Sequence, residues 1–321
     1  NNFKKIGMTA LAASLVSTSV FAGELTASGS ASVTAEGWSG TTTNKSRALS
    51  MADSVTFGGS AELDNGMTVS MSFELDGDDS GFDDRSVSVS SDMFGTFKFS
   101  GHGGSTAASA IDGTAAGDMW DNFDGASSVG GSTGVAVKAA AGGDNSVFYT
   151  LPSMVDGLAV TASYRPASST ALETAAATAY GVTYSGVEGL SASYGVADIE
   201  TGTATSSGDQ TVMKASYAYG SFTLAWSEND YQSAVASSDQ ETVSYKVSYT
   251  VSDELSVSYG HEEITLEGDT DEAEFELLSA AYTTGGMTVT ATMAESTDGA
   301  HDGASKADDR DYWALSLAFA F

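Results

Sequence analysis

From residue 23 onward the chain repeats one pattern, in which large apolar residues alternate with small polar ones. In the last segment Trp313, Leu315, Leu317, Phe319 and Phe321 share one face, and Ala314, Ser316, Ala318 and Ala320 share the other. Val243, Tyr245, Val247, Tyr249 and Val251 alternate with Ser244, Lys246, Ser248 and Thr250, and Met67, Val69, Met71, Phe73 and Leu75 alternate with Thr68, Ser70, Ser72 and Glu74. Successive side chains of a strand point to opposite faces, so each segment reads as a strand with an aliphatic and aromatic side and a small polar side. The alternation predicts sixteen strands: 24–38, 49–62, 67–76, 84–91, 96–102, 145–152, 158–166, 176–185, 190–200, 209–219, 221–231, 239–251, 254–266, 271–283, 287–296 and 309–321.

The connections sort into two kinds. Asp64-Asn65-Gly66, Asp92-Met93-Phe94-Gly95, Gly186-Val187-Glu188-Gly189, Ser252-Asp253 and Thr284-Gly285-Gly286 are tight turns, and the intervening connections are mostly longer and rich in Ser, Thr and Asp. A soluble sandwich would carry Lys and Glu on its polar faces, whereas here those faces are mostly Ser, Thr, Ala and Gly. Aromatics such as Tyr164, Tyr184, Tyr194, Trp226, Tyr231 and Trp313 stand near strand ends, where membrane barrels carry their girdles. The expected fold is therefore all-β, a sixteen-stranded antiparallel transmembrane barrel. Sixteen strands enclose an aqueous lumen, and closure leaves no unpaired sheet edge in lipid.

The first 22 residues read differently. Lys4 and Lys5 precede the uncharged stretch Ile6–Val20, and Val20-Phe21-Ala22 places small residues at the −3 and −1 positions of a cleavage site. This is the layout of a secretory signal peptide over 1–22, with the barrel expected over 23–321. No later apolar run is long enough for a membrane helix. The chain holds 43 acidic against 12 basic residues, a net charge of −31, and no cysteine. That charge leaves no basic footprint for nucleic acid, and the lack of thiols excludes disulfides, thiolate metal sites and cysteine nucleophiles.

The signal ending Val20-Phe21-Ala22, the first strand entered through Glu24-Leu25-Thr26 and the closing Ala318-Phe319-Ala320-Phe321 resemble the general bacterial porins, in particular the trimeric porins of alphaproteobacteria. The resemblance covers the whole mature chain in plan and implies a homotrimer in the outer membrane of a Gram-negative bacterium, surrounded by lipid and lipopolysaccharide. It implies a passive, water-filled channel for small hydrophilic solutes and ions. It also implies that the terminal Phe321 is the aromatic read by the outer-membrane barrel assembly machinery.

Residues 103–144 form the third long loop, which in the porins resembled here folds into the barrel and narrows it. On that reading Asp112, Asp118, Asp121 and Asp124, interleaved with Trp120 and Phe123, line the constriction, and carboxylates in a narrow passage favour cations. The same resemblance implies a basic wall opposite the loop, with Lys45, Arg47, Arg85, Lys98, Lys138 and Lys214 as candidates. Lys98, Lys214 and Lys246 have lumen parity in their strands. Arg47 shares the parity of Leu49, Met51, Val55 and Phe57 and faces the lumen only if a bulge intervenes; Asp53 in that row points to a bulge or to a subunit contact.

Other chemistry is sparse. His102, His261 and His301 have no zinc-type spacing, no nucleophile or nucleotide motif appears, and no enzymatic activity is expected. The second long loop carries Asp76, Asp78, Asp79, Asp83 and Asp84; it lacks the twelfth-position Glu of a calcium loop, yet its carboxylates offer a place for Ca²⁺. No other cofactor is expected. Two alternatives to a general pore remain: a substrate-selective outer-membrane channel, which would carry an aromatic track or a basic lumen, and a non-channel surface β-protein such as an adhesin, which would need neither a terminal aromatic nor a long third loop.

Overall fold

The computed structural model describes residues 25–40, 46–76, 82–124, 137–139, 142–167, 176–200, 207–235, 237–268, 271–299 and 309–321. The expected signal peptide and its cleavage site, and Lys45, lie outside these residues.

Sixteen strands form one closed antiparallel barrel in which every strand pairs with its neighbours in sequence and the first pairs with the last. They are β1 (Thr26–Gly40), β2 (Ser46–Glu62), β3 (Thr68–Asp76), β4 (Phe82–Ser91), β5 (Gly95–His102), β6 (Ser146–Thr150), β7 (Leu158–Arg165) and β8 (Ala176–Tyr184). The second half comprises β9 (Leu190–Glu200), β10 (Gly208–Tyr219), β11 (Phe222–Ser233), β12 (Gln240–Thr250), β13 (Leu255–Leu266), β14 (Ala273–Thr284), β15 (Met287–Thr297) and β16 (Arg310–Ala320). These agree with the sequence-based elements to within a few residues at each end.

Period-two alternation becomes two rows on every strand. The row holding Leu49, Phe97, Tyr180, Leu224, Tyr245, Leu278 and Trp313 is exposed. Exposed apolar surface on that scale needs lipid or protein against it, so this row faces outward. The other row carries Ser, Thr, Ala and Gly. Connections alternate as the turn residues predicted: the rim that carries both ends of the barrel chain has short turns, such as 63–67, 92–94 and 285–286, and the opposite rim has the long ones. At the short rim Gly95 has φ of 79°, and a Cβ there would lie 2.1 Å from the Thr150 carbonyl, so this turn admits only glycine.

The seam between β1 and β16 runs in continuous register from Ser30 opposite Ala320 to Gly40 opposite Arg310. One more pair of backbone bonds extends it, with Phe321 and Gly29 exchanging hydrogen bonds of 3.0 and 2.8 Å. The Phe321 ring lies flat where a side chain on Gly29 would be, 2.5 Å from the position of that Cβ.

The β1–β2 ladder is equally unbroken and places Arg47 opposite Gly37, two residues from Leu49 in the outward row. Arg47, expected among the pore residues, therefore belongs to the register of the outer face, because no bulge reverses it. Arg85 falls in the same outward register as Phe73, Val87 and Val89.

Candidate functional site

The segment between β5 and β6 leaves the wall at Gly103 and lies along the inward row of the strands that follow. Its two ends are tied together by Gly143 N–H donating to the Gly104 carbonyl (2.7 Å). Two local hydroxyl turns give it shape. Thr106 and Ser109 each accept the other's backbone N–H (2.9 and 2.7 Å), and the Thr114 hydroxyl accepts from the N–H of Gly117 and Asp118 while Asp118 Oδ1 accepts from Thr114 N–H. A single helical turn, α1 (Asp121–Asp124), follows. Sequence reading treated the loop as having no structure of its own; the capping hydroxyls and carboxylate at Thr106, Ser109, Thr114 and Asp118 are the signal it contained.

Backbone donors spaced along this path meet side chains of the wall. Ala107 N–H donates to Ser163 Oγ of β7 (2.8 Å), Ala115 N–H to Ser227 Oγ of β11 (2.7 Å), Ala116 N–H to Ser244 Oγ of β12 (2.9 Å) and Trp120 N–H to Glu262 Oε1 of β13 (3.3 Å). Ser163, Ser227 and Ser244 alternate with Tyr164, Trp226 and Tyr245 of the outward row, which places the segment on the lumen side of the sheet. Apolar contacts run alongside: Ala107 and Ala108 pack with Ala179, Ala197, Ile199 and Tyr231, and Ala116, Met119 and Phe123 pack with Ile264, Ala273, Phe275, Ala294 and Tyr312.

The wall makes room for this with glycine. A Cβ on Gly181 would stand 2.9 Å from the Ala107 carbonyl oxygen, one on Gly195 2.8 Å from Ile111 Cδ1, and one on Gly260 2.9 Å from Ala116 Cβ. Sequence reading missed this set because an inward glycine looks like any other small residue of a polar face. It also missed Glu262, which is fully buried although its strand is otherwise ordinary.

The basic residues of the inward row act on the loop's carbonyls. Lys214 of β10 donates through Nζ to the Gly113 carbonyl, Lys246 of β12 to Ala116 (3.4 Å), and Arg165 of β7 to Gly142 (2.7 Å). Lys138, in the return limb, donates to the Ser238 carbonyl (2.6 Å). Lys214 and Lys138, expected in a basic wall facing the loop, thus lie against it on its own side. Among the described residues of the expected set, Lys98 is an exposed lumen-parity residue in β5, away from the loop's anchors.

Asp112, Asp118 and Asp121 follow one another along the loop; Asp124 ends α1, and its side chain lies outside the described atoms. Gln210 Nε2 donates to Asp112 Oδ2 at 3.2 Å. Burial pushes the Asp112 carboxyl above the usual carboxylate range; the Gln210 hydrogen bond opposes that shift and neighbouring Asp118 adds to it. Among the described residues, no Lys or Arg comes within ion-pair distance of these three carboxylates. The wall away from the loop's anchors, on β2 to β5 and on β1 and β16 outside Trp38 and Tyr312, presents Ser and Thr together with Glu36, Glu74 and Asp76 and the cations Lys98 and Arg310.

Comparison with known proteins decides the family. The sequence model of the Gram-negative porins matches residues 7–277. The chain belongs to the Gram-negative porins. Among curated proteins none matches it in sequence. Solved porin structures share its fold at low identity: an anion-selective porin from Comamonas acidovorans superposes with a TM-score of 0.71 at 15% identity, covering 93% of this chain and 99% of that one. OmpT, an outer-membrane protein of Vibrio cholerae, gives 0.67 at 13% identity over 95% and 100%. OmpF of Salmonella typhi, in complex with daunomycin, gives 0.66 at 12% over 93% and 98%. This porin is accordingly an outer-membrane channel rather than an enzyme, in contact with membrane lipid outside and solutes within.

Proposed function

We propose that this porin is a general diffusion pore of the cation-preferring kind, narrowed by the loop that begins at Gly103. The observation that carries the reading is the division of charge inside the barrel. Lys214, Lys246 and Arg165 donate to loop carbonyls, while Asp112, Asp118 and Asp121 have no ion-pair partner among the described residues and face a wall that carries Glu36, Glu74 and Asp76 against the two cations Lys98 and Arg310. Fixed charges act within about 8–10 Å at physiological salt, a reach that covers every ion crossing a narrow passage. The relative from Comamonas acidovorans is named for anion selectivity, and at its level of identity that property does not travel with the fold.

A sugar-selective channel needs exposed aromatics along the lumen. Among the described residues the inward aromatics Trp38, Phe148, Tyr231, Phe275 and Tyr312 are instead packed against the loop. The assembly is read as a homotrimer: Asp53 is an exposed carboxylate in the outward row opposite Ala31, in a region of small side chains, which suits protein contact better than lipid. Export by the signal over 1–22, insertion through recognition of Phe321 and lipopolysaccharide as the surrounding outer leaflet complete the reading.

The test is the reversal potential across a planar bilayer in a KCl gradient. Changing Asp112, Asp118, Asp121 and Asp124 together to Asn should move it toward zero, and neutralising Asp78 and Asp79 in the second loop should move it much less. An anion preference in the unaltered pore, or equal shifts from both sets, overturns the assignment of the constriction.

A further inference from the structure

Where β4 begins and β5 ends, the ladders are irregular on both sides. Phe73 pairs with Arg85 but Leu75 pairs with Phe82, so β4 carries one extra residue at Asp83–Asp84; on its other side Arg85 pairs with His102 but Ser86 with Ser100, so β5 carries one extra residue at Gly101. Consecutive residues of a regular strand point to opposite faces. The bulge instead lets both Asp83 and Asp84 turn to one imidazole, the kind of re-aiming for which bulges are used near functional sites.

His102 Nδ1 lies 3.6 Å from Asp83 Oδ1 and 3.9 Å from Asp84 Oδ1. These separations are too long for hydrogen bonds. Donors each about 2.0–2.2 Å from one tetrahedral zinc ion stand about 3.4 Å apart, close to what is seen. Nδ1 has no solvent exposure and no hydrogen-bond partner, although the imidazole as a whole is partly open to water. On the far edge of the ring, Nε2 faces Asp144 at 3.7 Å. A metal-bound histidine typically has a carboxylate at its second nitrogen, which fixes the tautomer and strengthens the donor. Gly103 adds a cradle: a Cβ there would lie 1.4 Å from Asp84 Oδ1, and its φ of 62° suits glycine.

We propose that Asp83, Asp84 and His102 bind one divalent ion of the zinc class, with Asp144 orienting the imidazole and water completing the coordination. The nitrogen donor separates this from a site for Ca²⁺ or Mg²⁺, which take oxygen. The ion would staple the start of β4 to the point where the constriction loop departs and, through Asp144, to the point where it returns. Sequence spacing did not show it, because the donors come from two strands, β4 and β5, and Asp144 from the far end of the loop between β5 and β6. It stands independently of the pore's ion preference.

The test uses the folded full-length mature porin in detergent, stripped of metal and titrated with Zn²⁺ alone by calorimetry. One saturable site per chain is expected at neutral pH, lost in His102→Gln and in the Asp83→Asn/Asp84→Asn pair and retained in His261→Gln. Asp144→Asn should weaken it about tenfold, the usual cost of losing such a partner. If the variants do not fold, Co²⁺ bound to the unaltered protein should give visible ligand-field bands that Zn²⁺ abolishes. No saturable Zn²⁺ binding, binding unchanged in His102→Gln, or equal occupancy by Ca²⁺ overturns the proposal.

Discussion

The two halves of the barrel interior are built from the same small-residue vocabulary and use it differently. On β7 to β14 the inward serines accept backbone donors of the loop, the glycines admit its side chains, and the lysines and arginine hold its carbonyls. On β1 to β5, apart from Trp38 at the loop's tip and the buried Ser100 where the loop departs, the inward row meets water, and its contacts are short exchanges between neighbours, such as Ser30 with Ser54 at 3.1 Å. The difference teaches that an identical Ser or Gly is a structural part in one half and a wetted surface in the other. What distinguishes them is whether a desolvated partner stands opposite.

The comparison breaks most sharply at the serine anchors. Ser227→Ala with Ser244→Ala leaves the buried amides of Ala115 and Ala116 without acceptors, at about 1–3 kcal/mol each. Hydrogen exchange at those two amides should speed up about tenfold or more, with noisier single-channel current. Ser30→Ala in the bare half should stay within about 0.5 kcal/mol of the parent.

Next in size is crowding. Gly260→Val drives a side chain into Ala116 and Met119 Sδ, at 2.9 and 3.2 Å from the Cβ position, and overpacking of this kind costs about 1–3 kcal/mol. Chymotrypsin should then cut near Trp120 and Phe123 in folded porin that otherwise resists it. Gly58→Ala on the bare wall, whose tightest contact is the flexible Thr26 hydroxyl at 3.2 Å, should leave the digestion pattern unchanged.

The smallest effect is a titration. Burial raises the Asp112 carboxyl above its unfolded value, so as pH falls toward the ordinary carboxylate range the folded state takes up this proton first, and the penalty for holding the buried charge is relieved. The sign is that Asp112 costs stability at neutral pH and less on acidification. Asp112→Asn should therefore raise loop protection at neutral pH and lose that advantage in acid. Cation preference in the parent pore should begin to decline at a higher pH than it does in the variant, as reversal potentials across a pH series would record.

Much of the barrel was legible because its rules are local. Alternation from Trp313 to Phe321 gives a face, Asp64-Asn65-Gly66 gives a turn, and repetition gives the strand count. Parity also put Arg47 in the row of Leu49 and Met51, and the unbroken β1–β2 register agrees. The contacts of the loop were illegible because they join residues far apart: nothing beside Gly195 announces Ile111, and nothing beside Glu262 announces Trp120. Lys214 shows the limit of parity, which gives the side of the sheet but not whether a carbonyl waits there.

The far end of the loop reaches the seam. Trp38 Nε1 of β1 donates to the Asn122 carbonyl at 2.9 Å, and the Phe123 ring meets Tyr312 of β16 edge-on, with centroids 6.1 Å apart. These two strands are the first and last of the barrel chain, so the receptor for the loop's tip is complete only once they have met. An unsealed sheet can dock the loop as far as β16, but lacks the Trp38 contact from β1. Loop docking is thus a timer as well as a plug: a nascent barrel passes through a wide-bored stage, and its narrowing reports that the cylinder has shut.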